Sequence, residues 1–71
     1  MFIKLTAICR DKRGKRCSEL EIFLRYDEIK EFYGKEDDVG SYTQIRCGDG
    51  TYMDVAEGLE YINSFLNAQT E

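Results

Sequence analysis

Alternating apolar and polar positions predict a β-hairpin between residues 42 and 55. Every second residue from Thr43 to Cys47 is on one face, and this period is typical of a strand packed on a core from one side. Gly48-Asp49-Gly50 follows, and glycine supplies the positive φ that a hairpin turn needs. The strands are predicted at about 42–47 and 51–55.

After the hairpin, the hydrophobic period changes to that of a helix. Leu59, Ile62 and Leu66 fall at i, i+3 and i+7, which predicts an amphipathic helix over about 57–66. Glu57 and Glu60 would lie in its first turn, where the helix dipole favours negative charge. A helix this short is marginal alone in water, so we expect it to dock on the apolar face of the hairpin.

The first half of the chain predicts two more strands, at about 2–9 and 17–25, joined by a turn around Gly14. The core-facing set of the first strand is predicted to be Ile3, Leu5, Ala7 and Cys9. In the second strand, Leu20, Ile22 and Leu24 share the apolar face.

A fifth strand is predicted at about 29–33, with a bulge between its apolar residues Ile29 and Phe32. A helix over 26–32 is the alternative, because these two residues are also spaced i, i+3. Residues 34–41 are predicted to be a polar loop, and residues 67–71 are predicted to fray.

Together these elements predict one α+β domain covering residues 1–71, with five antiparallel strands and one C-terminal helix. A meander or a small SH3-like open barrel satisfies the pattern. The 42% hydrophobic content argues against disorder. So small a chain buries little core, and such domains often depend on a partner subunit.

Charge is distributed unevenly along the chain. Of ten basic and fourteen acidic residues, the segment 10–16 holds five basic and one acidic, so the rest is strongly acidic. The candidate binding residues in this basic loop are Arg10, Lys12, Arg13, Lys15 and Arg16. They could bind the phosphates of a nucleic acid or an acidic protein surface, or form a solvated turn that offsets the acidic body.

Three aromatic residues are candidates for a protein interface. Phe23 falls on the polar side of its strand, which suggests a contact beyond the core. Tyr42 and Tyr52 also fall on polar faces, where they could contact a partner or stack on bases.

Catalysis is not expected, because the chain contains no histidine and no other candidate catalytic group is evident. Glu36-Asp37-Asp38 is expected to be a solvated acidic loop, not a cation site. Three scattered cysteines do not make a zinc site, and no cofactor is predicted. Free thiols are favoured over a Cys9–Cys17 disulfide in a cytosolic protein. No signal peptide or membrane span is recognised, so a cytoplasmic location is expected.

The order of elements resembles the FlbD-like flagellar proteins, a family of very small bacterial proteins. The matching residues are Ile3-Lys4-Leu5-Thr6, Ile29 with Phe32, Thr43-Gln44-Ile45-Arg46-Cys47, Asp49-Gly50, Val55-Ala56-Glu57, Leu59 and Ile62. The chain departs from the family in its basic loop, in Cys47 where leucine is typical, and in Gly58 where serine is usual. The resemblance implies this fold and a non-enzymatic accessory or regulatory role, without a flagellar assignment.

We therefore expect a small accessory or regulatory protein that acts through protein–protein contacts, as a homo-oligomer. A nucleic-acid-binding regulator that uses the basic loop is the alternative. A protein that sequesters a small ligand is the third hypothesis.

Overall fold

The computed structural model describes residues 1–69, which form five strands, a short 3-10 turn and one α-helix. In chain order they are β1 (Phe2–Arg10), β2 (Arg16–Arg25), the 3-10 turn (Tyr26–Glu28), β3 (Ile29–Glu36), β4 (Ser41–Cys47), β5 (Tyr52–Val55) and α1 (Leu59–Gln69). The predicted α+β fold, with an antiparallel five-stranded sheet and a C-terminal helix, is confirmed.

The strands β1 and β2 form a long hairpin whose register runs from Phe2 opposite Arg25 to a bulge near its tip. The bulge leaves Cys17 without an opposite residue on β1. At the tip, Gly14 has φ of 80°, a conformation that side chains disfavour. The carboxylate of Asp11 accepts two backbone N–H groups of the loop, which fixes the shape of the tip.

The strands β3, β4 and β5 form a meander with two tight turns. The register of β3 shifts between Ile29 and Glu31, where a bulge is predicted, and the helical alternative for this segment is wrong. The prediction of a loop over 34–41 is also wrong, because the two strands extend until only residues 37–40 remain between them. Asp37 stabilises this short turn, since its Oδ1 accepts the N–H groups of Val39 and Gly40, each at 3.0 Å.

The two units join into one sheet of order β2-β1-β5-β4-β3. The joint is the pairing of β1 with β5, where Ala7 lies opposite Val55. Because β1 pairs with β5, the strands do not follow one another as a simple meander. The strands β2 and β3 are the two edges of the sheet. The SH3-like interpretation stays a prediction.

One face of the sheet carries the hydrophobic core. Its buried residues are Ile3, Leu5, Ile29, Ile45, Cys47, Val55 and Ile62. The predicted core-facing residues of β1 are wrong towards the C-terminal end of the strand. Ala7 and Cys9 are only half-buried, whereas Ile8, on the other face, is buried. Ile8 lies beside residues of β4 and β5, next to Gln44 and Met53, on the face opposite to the main core.

The helix α1 docks on this core through Ile62, which is fully buried, with Phe65 and Leu66 packed beside it. The helix begins two residues later than predicted and continues to Gln69, three residues beyond its predicted end, and the fraying of residues 67–71 stays a prediction. Residues 70 and 71 lie outside the described part of the chain. Within residues 1–69, no helix combines the length and the apolar character needed to cross a membrane.

Glu57 precedes the helix, and its hydrogen bonds connect β1 and β4 to the segment just before α1. Its carboxylate accepts the N–H and the hydroxyl of Thr6, at 2.8 and 2.9 Å. Its backbone carbonyl accepts the hydroxyl of the fully buried Thr43 at 2.8 Å. The predicted first-turn position is therefore wrong for Glu57, whose carboxylate binds Thr6 instead, and is confirmed for Glu60.

Candidate functional site

The most highly charged part of the molecule forms where the tip of the β1–β2 hairpin meets the β3–β4 turn. The carboxylate of Asp37 lies between two guanidinium groups. Arg16 donates to both of its oxygens, at 2.7 and 3.1 Å, and Arg10 donates to Oδ2 at 3.1 Å. A forked contact of this kind is stronger and more directional than a single neutral hydrogen bond.

Arg10 extends the network to β5. Its Nε donates to Oδ2 of Asp54 at 3.0 Å, and Asp54 also accepts Nε2 of Gln44 at 3.4 Å. Its Nη1 in addition donates to the carbonyl oxygen of Gly14. The exposed fractions of the four charged side chains range only from 13% to 22%, so these ion pairs are largely shielded from water.

The ring of Tyr42 completes this arrangement. The guanidinium carbons of Arg10 and Arg16 lie 4.9 and 5.6 Å from its centroid, within the range of cation–π attraction. Nη2 of Arg10 is buried without a hydrogen-bond partner among residues 1–69, so the neighbouring aromatic ring supplies part of the stabilisation of that cation. We call Arg10, Arg16, Asp37, Tyr42 and Asp54 the charge clamp.

Hydrogen bonding shifts the ionisation of the charge clamp. The pKa of Asp37 is held well below its usual range, chiefly by the hydrogen bonds from Arg16, and further by the N–H groups of its turn and by Arg10. The pKa of Arg10 is raised, chiefly by its hydrogen bond to Asp54. Both shifts favour the charged forms, so the clamp remains an ion network at neutral pH.

The five basic candidates of the predicted loop therefore differ in whether they form ion pairs. Arg10 and Arg16 are engaged inside the clamp, and Lys15 pairs with Asp38 at 3.1 Å on the exposed surface. Among residues 1–69, only Lys12 and Arg13 of the five candidates extend into solvent without an ion pair. The expectation of a solvated acidic loop is wrong for Asp37, because that loop is the counter-charge of the basic one.

The three predicted interface aromatics do not lie together as one free surface. Phe23 and Tyr52 are 64% and 59% exposed. Tyr42 is half-buried beneath the two arginines and acts in the clamp. Phe23 lies on β2, opposite Lys4 of β1, and so belongs to the edge of the sheet.

The two edge strands differ in how they are protected. The strand β3 has a bulge at its start and carries the exposed lysines Lys30 and Lys35, two features that discourage edge-to-edge pairing. The strand β2 is ten residues long and regular from Ser18 to Arg25. Its residues are exposed or half-exposed, and the apolar Leu20 is 60% exposed. Over Ser18–Arg25 the edge of β2 is therefore the more regular of the two, although Glu19, Glu21 and Arg25 place charges along it.

The cysteines are free thiols, as favoured from the sequence. Cys17 is exposed in the hairpin bulge, where its thiol donates to the carbonyl oxygen of Cys9, whereas Cys47 is buried in the core. Across residues 1–69, no group of three or more potential ligands has the geometry of a metal site.

Neither the charge clamp nor the β2 edge was predicted from the sequence. A clue to the clamp was present, because a strongly basic run and the acidic run 36–38 each lie near glycines that mark turns. The edge position of β2 has no signal in its own residues, since it depends on which strands end up at the edges.

No protein-family model, curated protein or solved structure matches this chain. The resemblance to the FlbD-like proteins stays a prediction.

Proposed function

We propose that this chain is a non-catalytic accessory or regulatory protein that acts through protein–protein contacts made by the edge of β2. The observation that carries the proposal is a long, regular edge strand with Leu20 and Phe23 mostly exposed. The outer backbone groups of such a strand can accept a strand of another chain, while its side chains supply specificity.

The nucleic-acid alternative has less support. Three of the five basic side chains it requires are paired with carboxylates, which leaves Lys12 and Arg13 for phosphates. With a net charge of −4, the molecule as a whole repels a polyanion. The small-ligand hypothesis and the cytoplasmic location stay predictions.

The test uses two matched lysine substitutions. Leu20→Lys places a charge on the β2 edge, whereas Val39→Lys places one at an equally exposed apolar residue on the β3–β4 turn. Proteins captured by the wild type are identified, purified and titrated against all three forms by calorimetry. We expect the Val39 variant to bind like the wild type and the Leu20 variant to bind at least about tenfold more weakly, because lysine on an edge strand opposes strand addition. Equal binding by the Leu20 variant would contradict the proposal.

A further inference from the structure

We propose that the partner of the β2 edge is a second copy of this chain, which pairs with it antiparallel about a twofold axis centred on Ile22. This inference rests on the proposed function, since it specifies the partner of that edge. The result would be one continuous sheet of ten strands across the two protomers.

The symmetry restricts the possible registers. An isologous antiparallel pair has its twofold axis perpendicular to the sheet, so each residue lies opposite one that points to the same face. Two opposed residue numbers then have an even sum, and sums from 40 to 46 are the registers that pair at least five residues of the regular segment Ser18–Arg25.

Charge disfavours two of these four registers, and a short overlap disfavours a third. A sum of 40 places Glu19 opposite Glu21 of the other copy, and a sum of 42 places Glu21 opposite itself. A sum of 46 places Glu21 opposite Arg25, but it leaves only residues 21–25 within paired strand, two fewer than a sum of 44. Like charges directly opposite one another destabilise a sheet.

The remaining register, with a sum of 44, is complementary on both faces. On one face Glu19 lies opposite Arg25, twice by symmetry, and Glu21 lies opposite Phe23. Arg25 makes one intrachain bond to Asp27, so its fork retains free donors for Glu19 of the other copy. Seven residues of each chain, 19–25, are then paired strand.

On the core face, the same register extends the hydrophobic layer. Ile22 lies opposite Ile22, and Leu20 lies opposite Leu24 of the other copy. Ile22 and Leu24 already pack against the monomer core, so the 60% exposed Leu20 gains an apolar neighbour continuous with that core. On the opposite face, the two Phe23 side chains become diagonal neighbours, within reach of each other.

The test is a charge exchange measured by sedimentation equilibrium from about 1 μM to about 1 mM, a range that covers weak to moderate dimers. Glu19→Arg places an arginine opposite Arg25 of the other copy, and Arg25→Glu places a glutamate opposite Glu19 of the other copy. Each single variant is expected to dimerise about tenfold more weakly than the wild type. The double variant and an equimolar mixture of the two single variants restore opposite charges, so both are expected to dimerise like the wild type. Arg13→Glu, the same change at the hairpin tip, is the matched control and is expected to have no effect.

Hydrogen exchange provides a second readout on the wild type, which does not depend on the variants folding. Alternate backbone amides between residues 19 and 25 should gain protection as the protein concentration rises. A monomer at every concentration, or single variants that dimerise like the wild type, would overturn the inference. The first result would leave the proposed function standing, because Leu20→Lys tests binding of another protein to the same edge. Equal binding of that partner by the Leu20 variant would overturn the proposed function.

Discussion

The hydrogen bond between Thr43 and Glu57 should contribute substantially to the stability of the fold. Thr43 is fully buried, and its hydroxyl donates at 2.8 Å to the carbonyl of Glu57, just before α1. Thr43→Val replaces the hydroxyl with a methyl group of similar size, so the change removes the bond with little change in packing. Losing a buried hydrogen bond of this kind, and leaving its carbonyl acceptor without a donor, costs about 2 kcal/mol.

For a domain of this size, about 2 kcal/mol is a large fraction of the total stability. Folded domains have roughly 0.05–0.15 kcal/mol per residue, and each kcal/mol shifts Tm by about 4–8 °C in a chain of this length. We therefore expect the Tm of the Thr43→Val variant to fall by roughly 8–16 °C in calorimetry, with a matching decrease in the guanidinium midpoint.

The matched control is Thr51→Val. Thr51 is exposed, and its hydroxyl donates to Asp49 at 2.7 Å, so the same substitution should change stability by at most about 0.5 kcal/mol. If Thr43→Val were as stable as the wild type, the hydrogen bond between Thr43 and Glu57 would not stabilise the fold as argued here.

Three further predictions concern the charge clamp, the hairpin tip and the thiols. Because the folded-state pKa of Asp37 is depressed, its contribution to stability is present above the unfolded-state pKa of about 3.9 and lost as pH falls towards the folded-state value. The free-energy difference between wild type and Asp37→Asn, measured by urea unfolding, should therefore shrink below about pH 4, and a pH-independent difference would contradict this. If the protein binds duplex DNA through Lys12 and Arg13 alone, the slope of log K against log salt should be no steeper than about −1.8. Replacing both residues with serine should then abolish binding. A slope near −4.5 would mean that all five basic residues contact phosphates, which requires the charge clamp to open. In the native protein, Cys17 should react quickly with a thiol reagent and Cys47 only after unfolding, and equal rates would contradict the assigned burial.

The sequence predicted those features of the fold that depend on local patterns. The face of β4 that includes Thr43 and Ile45 is buried as the alternation indicated. Of the two turn glycines predicted to have positive φ, Gly50 has it and Gly48 does not. The bulge at the start of β3 also follows from the spacing of its apolar residues. These outcomes depend on residues close in sequence, where periodicity and turn chemistry act directly.

The features that escaped prediction depend on contacts distant in sequence. Arg10 and Asp37 are twenty-seven residues apart, and only the pairing of β1 with β5 brings their hairpins together. Glu57 was predicted at a helix terminus because the helical period of apolar residues begins close by at Leu59, yet its carboxylate binds Thr6, fifty-one residues away. A tertiary hydrogen bond thus overrode a local preference, as tertiary context often does.

The charge clamp bears directly on how well the β2 edge can bind. Arg16 begins β2, and its forked contact with Asp37 holds that end of the strand against the β3–β4 turn. At the other end, β2 leads directly into the 3-10 turn, whose Tyr26 N–H donates to the carbonyl of Met1. An edge strand fixed at both ends loses little conformational entropy when another strand is added, so more of the new hydrogen bonding appears as affinity. If the β2 edge binds a partner as proposed, Arg16 contributes to that binding indirectly, by holding the end of the strand in place.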